Sequence, residues 1–358
     1  MASARHFIDR ALPLVIFPAL GAVAFSIVMG HLNGLALQIN ASGAQCPAQG
    51  LGTTAIRRTY TGLDVIDKAL CTVVAVFTEN LGPNVLEFTH YWLSTGAVTF
   101  IFPAVEASRR GTSLPNIILA LPVLVLLVAQ VATIAVVLPF YWTVFLVSGQ
   151  QRGSKDSFIT ESHAESMIVA TLLGLVPSTI LMLSVKSPLT IAIWQLCPLY
   201  FFLVQHWYLR VVRPPGSKSP SGFDILQAFY ACLFVLAARV HFKVITKYLA
   251  NPAAALAFFK PPVQPNLTAS MSTQTLNFLQ WDSIFAQASC ILASFWFADS
   301  PKTLLIMVGW YIIAVPLVGP FAGFIAVLVW RELKLNGHTS APSTLRPMTT
   351  VLPKKKID

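Results

Sequence analysis

The stretch TLNFLQWDSIFAQASCILASFW, residues 275–296, decides how the rest of the chain is interpreted. It is long enough to cross a bilayer as a helix, since one crossing needs ~20 residues. It nevertheless carries an acid, Asp282, inside the apolar run. An ionisable side chain at such a depth usually faces the bundle interior or a water-filled cavity. We therefore predict that Asp282 belongs to a functional site.

Aromatic residues surround this acid. On a helix, Phe278 and Phe285 lie four residues before and three residues after Asp282, so they flank it on one face. Trp281 precedes the acid directly, and we expect all three rings to contact a substrate. A carboxyl group in apolar surroundings tends to keep its proton. Two interpretations stay open: a neutral acid that protonates an apolar substrate, or an aspartate that caps or pairs inside the bundle.

The composition indicates an all-α, polytopic integral membrane bundle. The chain has 358 residues, of which 55% are hydrophobic and only 11% charged, whereas soluble domains average about 25% charged residues. Its net charge of +10 does not indicate nucleic-acid binding, because the basic residues are scattered between apolar spans and at the tail. Membrane topology and anionic lipid headgroups explain these residues better. The five cysteines form no CxxC motif or Cys/His cluster, and most of them lie in apolar spans, where a small hydrophobic residue is the simpler interpretation.

Hydropathy predicts about eight transmembrane helices and one short interfacial or re-entrant helix at 65–77. We place the spans at about 12–37, 85–105, 114–147, 165–183, 189–208, 222–245, 275–296 and 304–330. Pro139 is expected to end or kink the third span, and Pro316 or Pro320 the eighth. Residues 1–335 then form one domain, and residues 336–358 form a basic cytosolic tail.

Eight spans place both termini on the same side of the membrane, and the positive-inside rule makes that side cytosolic. The terminal sequence Lys354-Lys355-Lys356-Ile357-Asp358 matches a dilysine signal for retrieval to the endoplasmic reticulum. The sequon at Asn40 is then luminal and glycosylated, whereas the sequon at Asn266 is cytosolic and unused.

The motifs that are absent restrict the chemistry. The sequence contains no DDxxD or NDxxD run, and clustered carboxylates are what holds the magnesium ions of a bound diphosphate. A terpene substrate would therefore be activated by protonation of an epoxide or alkene. That reaction needs one acid in a dry cavity whose aromatic rings stabilise the cation. We expect neither a metal nor a cofactor.

Three further acids are weighed against simpler roles. Glu106 ends the second span shortly before Arg109 and is either a second acid or part of an exposed ion pair. Asp67 lies on the short helix, where a solvated face is the simpler interpretation. Glu79 precedes a Gly-Pro break and either lines a cavity mouth or faces water.

The sixth span adds two basic candidates for substrate binding, Arg239 and His241. Arg239 could instead extend towards the interface, and His241 could orient a carboxylate or be a satisfied core histidine. By depth, both share the cytosolic half of the membrane with Glu106 and Asp282. We therefore predict one site that contains all four residues.

Several loose patterns resemble a known family. They are Asp67-x-x-Leu70, Glu106-x-x-Arg109-Arg110-Gly111, Leu279-x-x-Asp282 and Pro316-Leu317-Val318-Gly319-Pro320. With the size and span layout, the chain resembles, over most of 10–335, the membrane-bound terpene cyclases of fungal secondary-metabolite clusters, the ascofuranone type, with relatives in indole-diterpene clusters. The resemblance implies metal-independent, acid-initiated cyclisation of an epoxidised prenyl intermediate, with Asp67, Glu106 and Asp282 as candidate acids. It also implies a monooxygenase and a prenyltransferase as pathway partners.

Two other functions stay open. A transporter of a lipophilic metabolite could line its path with the same polar residues, although the chain shows no inverted repeat. A non-catalytic membrane scaffold for a biosynthetic pathway is the second alternative.

Overall fold

The computed structural model describes residues 7–41, 59–109, 117–152, 158–216 and 219–337. Within these ranges the chain forms α-helices and no strand, with one isolated bridge between Thr160 and Ser221. The α-helices in chain order are α1 (Leu12–Ala41), α2 (Asp64–Asn80), α3 (Leu86–Gly96), α4 (Val98–Ala107), α5 (Ile117–Ala120), α6 (Pro122–Ala132), α7 (Ile134–Val147), α8 (Glu161–Ala170), α9 (Val176–Val185), α10 (Pro188–Trp194), α11 (Cys197–Trp207), α12 (Phe223–Tyr248), α13 (Pro252–Phe259), α14 (Met271–Ser294), α15 (Pro301–Leu317) and α16 (Pro320–Leu335). Short π-helical or 3-10 turns lie at Phe7–Ala11, Gln150–Arg152, Thr171–Leu175, Tyr208–Val212 and Phe295–Phe297.

Three helical segments of the described chain are long and apolar enough to cross a membrane: Asp9–Leu35, Glu161–Val185 and Phe223–Tyr248. A fourth crossing results if Pro188–Trp194 and Cys197–Val212, which bend by 51°, form one span. These helices fit a membrane location. The predicted number of eight spans and the orientation of the termini stay predictions.

The predicted apolar runs contain breaks, so fewer continuous helices are long enough to cross a membrane than the eight predicted spans. The run 114–147 contains α5, α6 and α7, which are separated at Leu121 and Thr133. Pro139 lies inside α7, so the chain breaks earlier than we predicted. The break predicted near Pro316 or Pro320 is confirmed, because α15 ends at Leu317 and α16 begins at Pro320.

Helix α14, which carries Asp282, is the central helix of the fold and packs against α1, α7, α16 and α2. Its polar side chains point inwards and hold neighbouring segments. For example, the side-chain amide of Gln280 donates to the backbone oxygens of Ala257 and Phe258 at 2.9 and 2.7 Å. A helix enclosed by other helices can carry such groups, because protein partners rather than lipid satisfy them.

The cysteines differ from one another. Cys71 forms a disulfide bond, whereas Cys197, Cys232 and Cys290 are free. Cys71 is therefore not one of the cysteines that act simply as small hydrophobic residues. Disulfides are typical of oxidising compartments such as the lumen of the endoplasmic reticulum. The side chain of Asn40 and the lysines of the tail lie outside the described part of the chain.

Candidate active site

A cavity of about 390 Å³ lies between α2, α3, α4, the α6–α7 junction and α14. Its volume falls within the ~300–1,000 Å³ of small-molecule sites. Five of its lining side chains are aromatic: Phe77, Trp92, Phe100, Trp194 and Phe278. An aromatic wall offers π faces that can attract a cation.

Asp282 lies in the wall of this cavity and is only 7% exposed. Its Oδ1 accepts a hydrogen bond from the backbone N–H of Ala135 at 2.9 Å. Ala135 is the second residue of α7, so the carboxyl group sits at the N-terminus of that helix. The side chains of Trp92 and Thr133 lie beside it.

The local backbone explains why the start of α7 meets this acid. Thr133, between α6 and α7, has φ of 69° and ψ of 151°. Positive φ is costly for a β-branched residue, and such strained positions cluster at functional sites. The sharp break allows α7 to begin inside the bundle, where its first N–H groups need an acceptor. Asp282 supplies that acceptor from α14.

Two opposing effects act on the Asp282 carboxyl group. Apolar surroundings favour the neutral acid, because burial penalises the charged form. The N–H groups and the macrodipole at the start of α7 favour the carboxylate. The arrangement can therefore hold a proton at rest and stabilise the anion that remains when the proton leaves.

Helix α2 lines the cavity with one continuous face. The residues of this face recur at helical spacing: Ala69, Thr72, Val73, Val76, Phe77 and Asn80. Asn80 is fully buried at the last position of the helix. The predicted short helix at 65–77 is thus confirmed, with a longer C-terminal end, and it is a wall of the cavity.

The aromatic residues predicted around Asp282 have different roles. Phe278 lines the cavity together with Asp282, whereas Phe285 and Trp281 are absent from its described lining. Phe285 and Trp281 stack on each other with ring centroids 5.5 Å apart. The indole N–H of Trp281 donates to the backbone oxygen of Pro262 at 2.8 Å, which ties α14 to the segment before it.

Glu106 belongs to a buried cluster of four charges, not to an exposed pair. Both oxygens of Glu106 accept from Arg331, at 2.7 and 2.9 Å. Arg109 Nε donates to Glu106 at 2.8 Å, and its guanidinium also pairs with Glu332. The four residues are all at most 5% exposed. We call them the charge cluster; it joins the end of α4 to the end of α16.

The two candidate basic residues of α12 do not line the cavity that contains Asp282. His241 is buried, and its ring nitrogens lie 3.2 Å from the Tyr91 hydroxyl and 3.3 Å from the Pro316 oxygen. Arg239 is exposed. The structure therefore separates the four residues that we predicted to share one site: Glu106, Arg239 and His241 do not line the cavity.

Asp67 anchors the turn before α2. Its carboxylate accepts from the backbone N–H groups of Tyr60, Thr61 and Gly62, and from the Thr61 hydroxyl, at 2.8–3.1 Å. Burial alone would raise the pKa of Asp67, but these four hydrogen bonds outweigh it, so its pKa lies below the usual value. Glu79 is half-buried, burial raises its pKa, and it is not part of the cavity lining.

Several important residues escaped the sequence analysis. Asn80 and Thr133 on the cavity wall, and Arg331 and Glu332 in the charge cluster, were not predicted. A polar amide at the end of the α2 face is a signal that could have identified Asn80. An Arg-Glu pair directly after the last apolar run could have indicated partners for Glu106 and Arg109. Among the described residues, no group of three or more His, Cys, Asp or Glu could hold a metal ion.

The fold and cavity define a class: a helical membrane-type protein with one buried acid in an aromatic pocket. The model of the CtvD domain family matches residues 12–334, and the chain belongs to this family. It is 27% identical over 219 residues to a protein named terpene cyclase ctvD from Aspergillus terreus. That match covers 55% of this chain and 61% of the relative, so the chain aligns with less than two thirds of it. No solved structure matches. Family membership confirms the resemblance and suggests a terpene cyclase.

Proposed function

We propose that this protein is a terpene cyclase that starts a carbocation cascade by protonating an epoxide or alkene of a prenylated substrate. The observation that carries the proposal is the position of Asp282, a buried acid on the wall of an aromatic cavity. General acid catalysis requires a proton donor within reach of the reacting atom. Asp282 is the acidic residue among the side chains described as lining the cavity.

The proposed reaction is an isomerisation. The Asp282 hydroxyl gives its proton to the epoxide oxygen, the C–O bond breaks, and a tertiary cation forms at the carbon. Neighbouring alkenes of the chain attack this cation in turn, and each attack forms one C–C bond and a new cation. Loss of a proton from carbon ends the cascade and balances the proton supplied at the start. The substrate and product have the same atoms.

The protein stabilises two charges that form one after the other, the carboxylate of Asp282 and the cation of the substrate. The start of α7 stabilises the Asp282 carboxylate through the Ala135 N–H as the proton leaves. The cavity aromatics, among them Trp92 and Phe278, face the cation that then forms. The mainly apolar lining of the cavity also limits capture of the cation by water, because hydration would end the cascade early.

The other candidate acids have supporting positions in this proposal. Glu106 is neutralised by two arginines in the charge cluster. The Asp67 carboxylate accepts hydrogen bonds from the backbone of the turn at residues 60–62. Neither carboxyl group lines the cavity. We propose that the enzyme is located in the endoplasmic reticulum. It would act in a pathway that makes meroterpenoids or indole diterpenes, after a prenyltransferase and a monooxygenase.

A conversion assay tests this function. Microsomes that contain only this protein are incubated with epoxidised prenyl-arene and prenyl-indole compounds, and products are compared with those from empty microsomes. A cyclase yields ring-closed isomers of unchanged mass. If the protein is instead a transporter of a lipophilic metabolite or a scaffold for other enzymes, the substrates are recovered unchanged, and the proposal fails. The matched substrates without an epoxide separate the two starting reactions, because only alkene protonation converts them.

A further inference from the structure

We propose that Asn80 binds a polar head of the substrate, at the far end of the cavity face of α2. This inference extends the proposed function, because it names what the substrate carries besides its prenyl chain. Asn80 is fully buried and lines the cavity that contains Asp282.

The Asn80 side chain is unusual in its hydrogen bonding. Neither Oδ1 nor Nδ2 has a hydrogen-bond partner among the residues that the structure describes. A carboxamide can donate two hydrogen bonds and accept two, and a buried polar group without any partner is costly. Such a group in a cavity wall calls for a ligand that supplies the missing partners.

The backbone of Asn80 is fixed, which limits where its side-chain amide can lie. Its carbonyl oxygen accepts from the Thr89 hydroxyl at 2.8 Å, which ties the end of α2 to α3. Leu81 closes the helix by donating to the oxygens of Phe77 and Thr78. A buried side chain on a fixed backbone loses less freedom when it binds a ligand than an exposed one does, which favours recognition.

Most other polar side chains of the wall are already engaged; among the described residues, the Thr133 hydroxyl beside Asp282 is an exception. Thr89 donates to Asn80, Thr99 donates to the Gly96 oxygen at 2.7 Å, and Thr179 donates to the Leu175 oxygen at 2.9 Å. Asp282 accepts from Ala135. Asn80 therefore offers both a donor and an acceptor that the described protein groups leave unused.

The chemistry of the amide defines the ligand class. A carboxamide pairs best with a group that presents an acceptor and a donor side by side, such as a hydroxyl beside a carbonyl. The rest of the cavity is mainly apolar. We infer an amphipathic substrate in which an apolar chain ends in such an oxygenated head, and not a pure hydrocarbon epoxide.

The test compares two epoxidised prenyl compounds of equal chain length in purified protein. One has an aromatic head with adjacent hydroxyl and carbonyl groups, and the other has an unsubstituted phenyl head. We expect the wild type to favour the first in kcat/KM, and Asn80→Leu to reduce that preference roughly 5- to 150-fold, the range for a lost buried hydrogen-bond partner. Asn80→Ser, which keeps one hydroxyl, should lie in between.

Asn84→Leu is the matched control, because Asn84 is an exposed asparagine just after α2. It should keep the wild-type preference. The melting temperature of Asn80→Leu without ligand should equal or exceed that of the wild type, because the amide has no protein partner to lose. An unchanged substrate preference in Asn80→Leu overturns the proposal, whatever its melting temperature.

A binding measurement keeps this inference separate from the proposed reaction. The two compounds are made with an alkene in place of the epoxide, and the rise in melting temperature that each gives is compared. The oxygenated head should stabilise the wild type more than Asn80→Leu, even if neither protein turns over the epoxides. In that case the cyclase proposal fails and the Asn80 site stands. Equal stabilisation of both proteins removes the Asn80 site, whatever the activity.

Discussion

Replacement of Arg331 by methionine should strongly destabilise the protein. Arg331 is 1% exposed and donates to both oxygens of Glu106 and to the Gln150 backbone oxygen. Its removal leaves the charge cluster with two carboxylates and one guanidinium in a buried place. Loss of one partner from a buried pair costs about 3–5 kcal/mol.

Arg213→Met is the control, because Arg213 pairs with Glu161 and Glu165 but is 43% exposed. Exposed pairs contribute about 0–1 kcal/mol. At ~1.3 °C per kcal/mol for a chain of this size, Arg331→Met should lower the melting temperature by roughly 4–7 °C, and Arg213→Met by at most ~1 °C. Tryptophan fluorescence of the protein in detergent measures both shifts.

A second variant tests whether the unpaired charge is the cause. Glu106→Gln together with Arg331→Met restores neutrality, since Arg109 and Glu332 remain as a pair. The double variant should melt above Arg331→Met alone, because the uncompensated carboxylate is gone. If Arg331→Met shifts the melting temperature no more than Arg213→Met does, the charge cluster is not buried as described and the reasoning fails.

Two further predictions concern the turn before α2 and the break before α16. Because the pKa of Asp67 is lowered, its stabilisation is full above the unfolded value of about 3.9 and is lost as the pH falls through the folded pKa. The melting temperature of Asp67→Asn should therefore lie below that of the wild type at neutral pH and approach it below about pH 4; a gap independent of pH would contradict the role of the carboxylate. Gly319 has φ of 94°, and an added Cβ would lie 2.7 Å from the His241 ring, so Gly319→Ala should destabilise by about 1–3 kcal/mol. Gly309→Ala, with nothing within 4 Å of the added Cβ, should not; equal melting temperatures for the two would argue against the strain.

The sequence predicts those features that depend on local patterns. An acid in an apolar run indicated that Asp282 is buried, and this is confirmed. The apolar run at 65–77, which is too short to cross a bilayer, predicted the helix that became α2. The Pro-rich run at 316–320 predicted the break between α15 and α16.

Features that depend on long-range packing could not be read from the sequence. Ala135, which donates to Asp282, is 147 residues away from it, and Arg331 is 225 residues away from Glu106. The break at Thr133 contains neither Pro nor Gly, so no local signal marks it. Equal depth in the membrane suggested one site for Glu106, His241 and Asp282, but depth does not specify on which side of a bundle a side chain lies.

The central claim is that Asp282 delivers a proton, and Asp282→Asn tests it most directly. An asparagine oxygen can still accept from Ala135 and cap α7, so the melting temperature should change little, while the proton donor is lost. We expect kcat on the epoxidised substrate to fall by about 10²–10⁴-fold, as is typical for loss of a general acid, with analogue binding retained. An Asp282→Asn protein that keeps kcat within a few-fold of the wild type would show that Asp282 only caps α7, and would contradict the account.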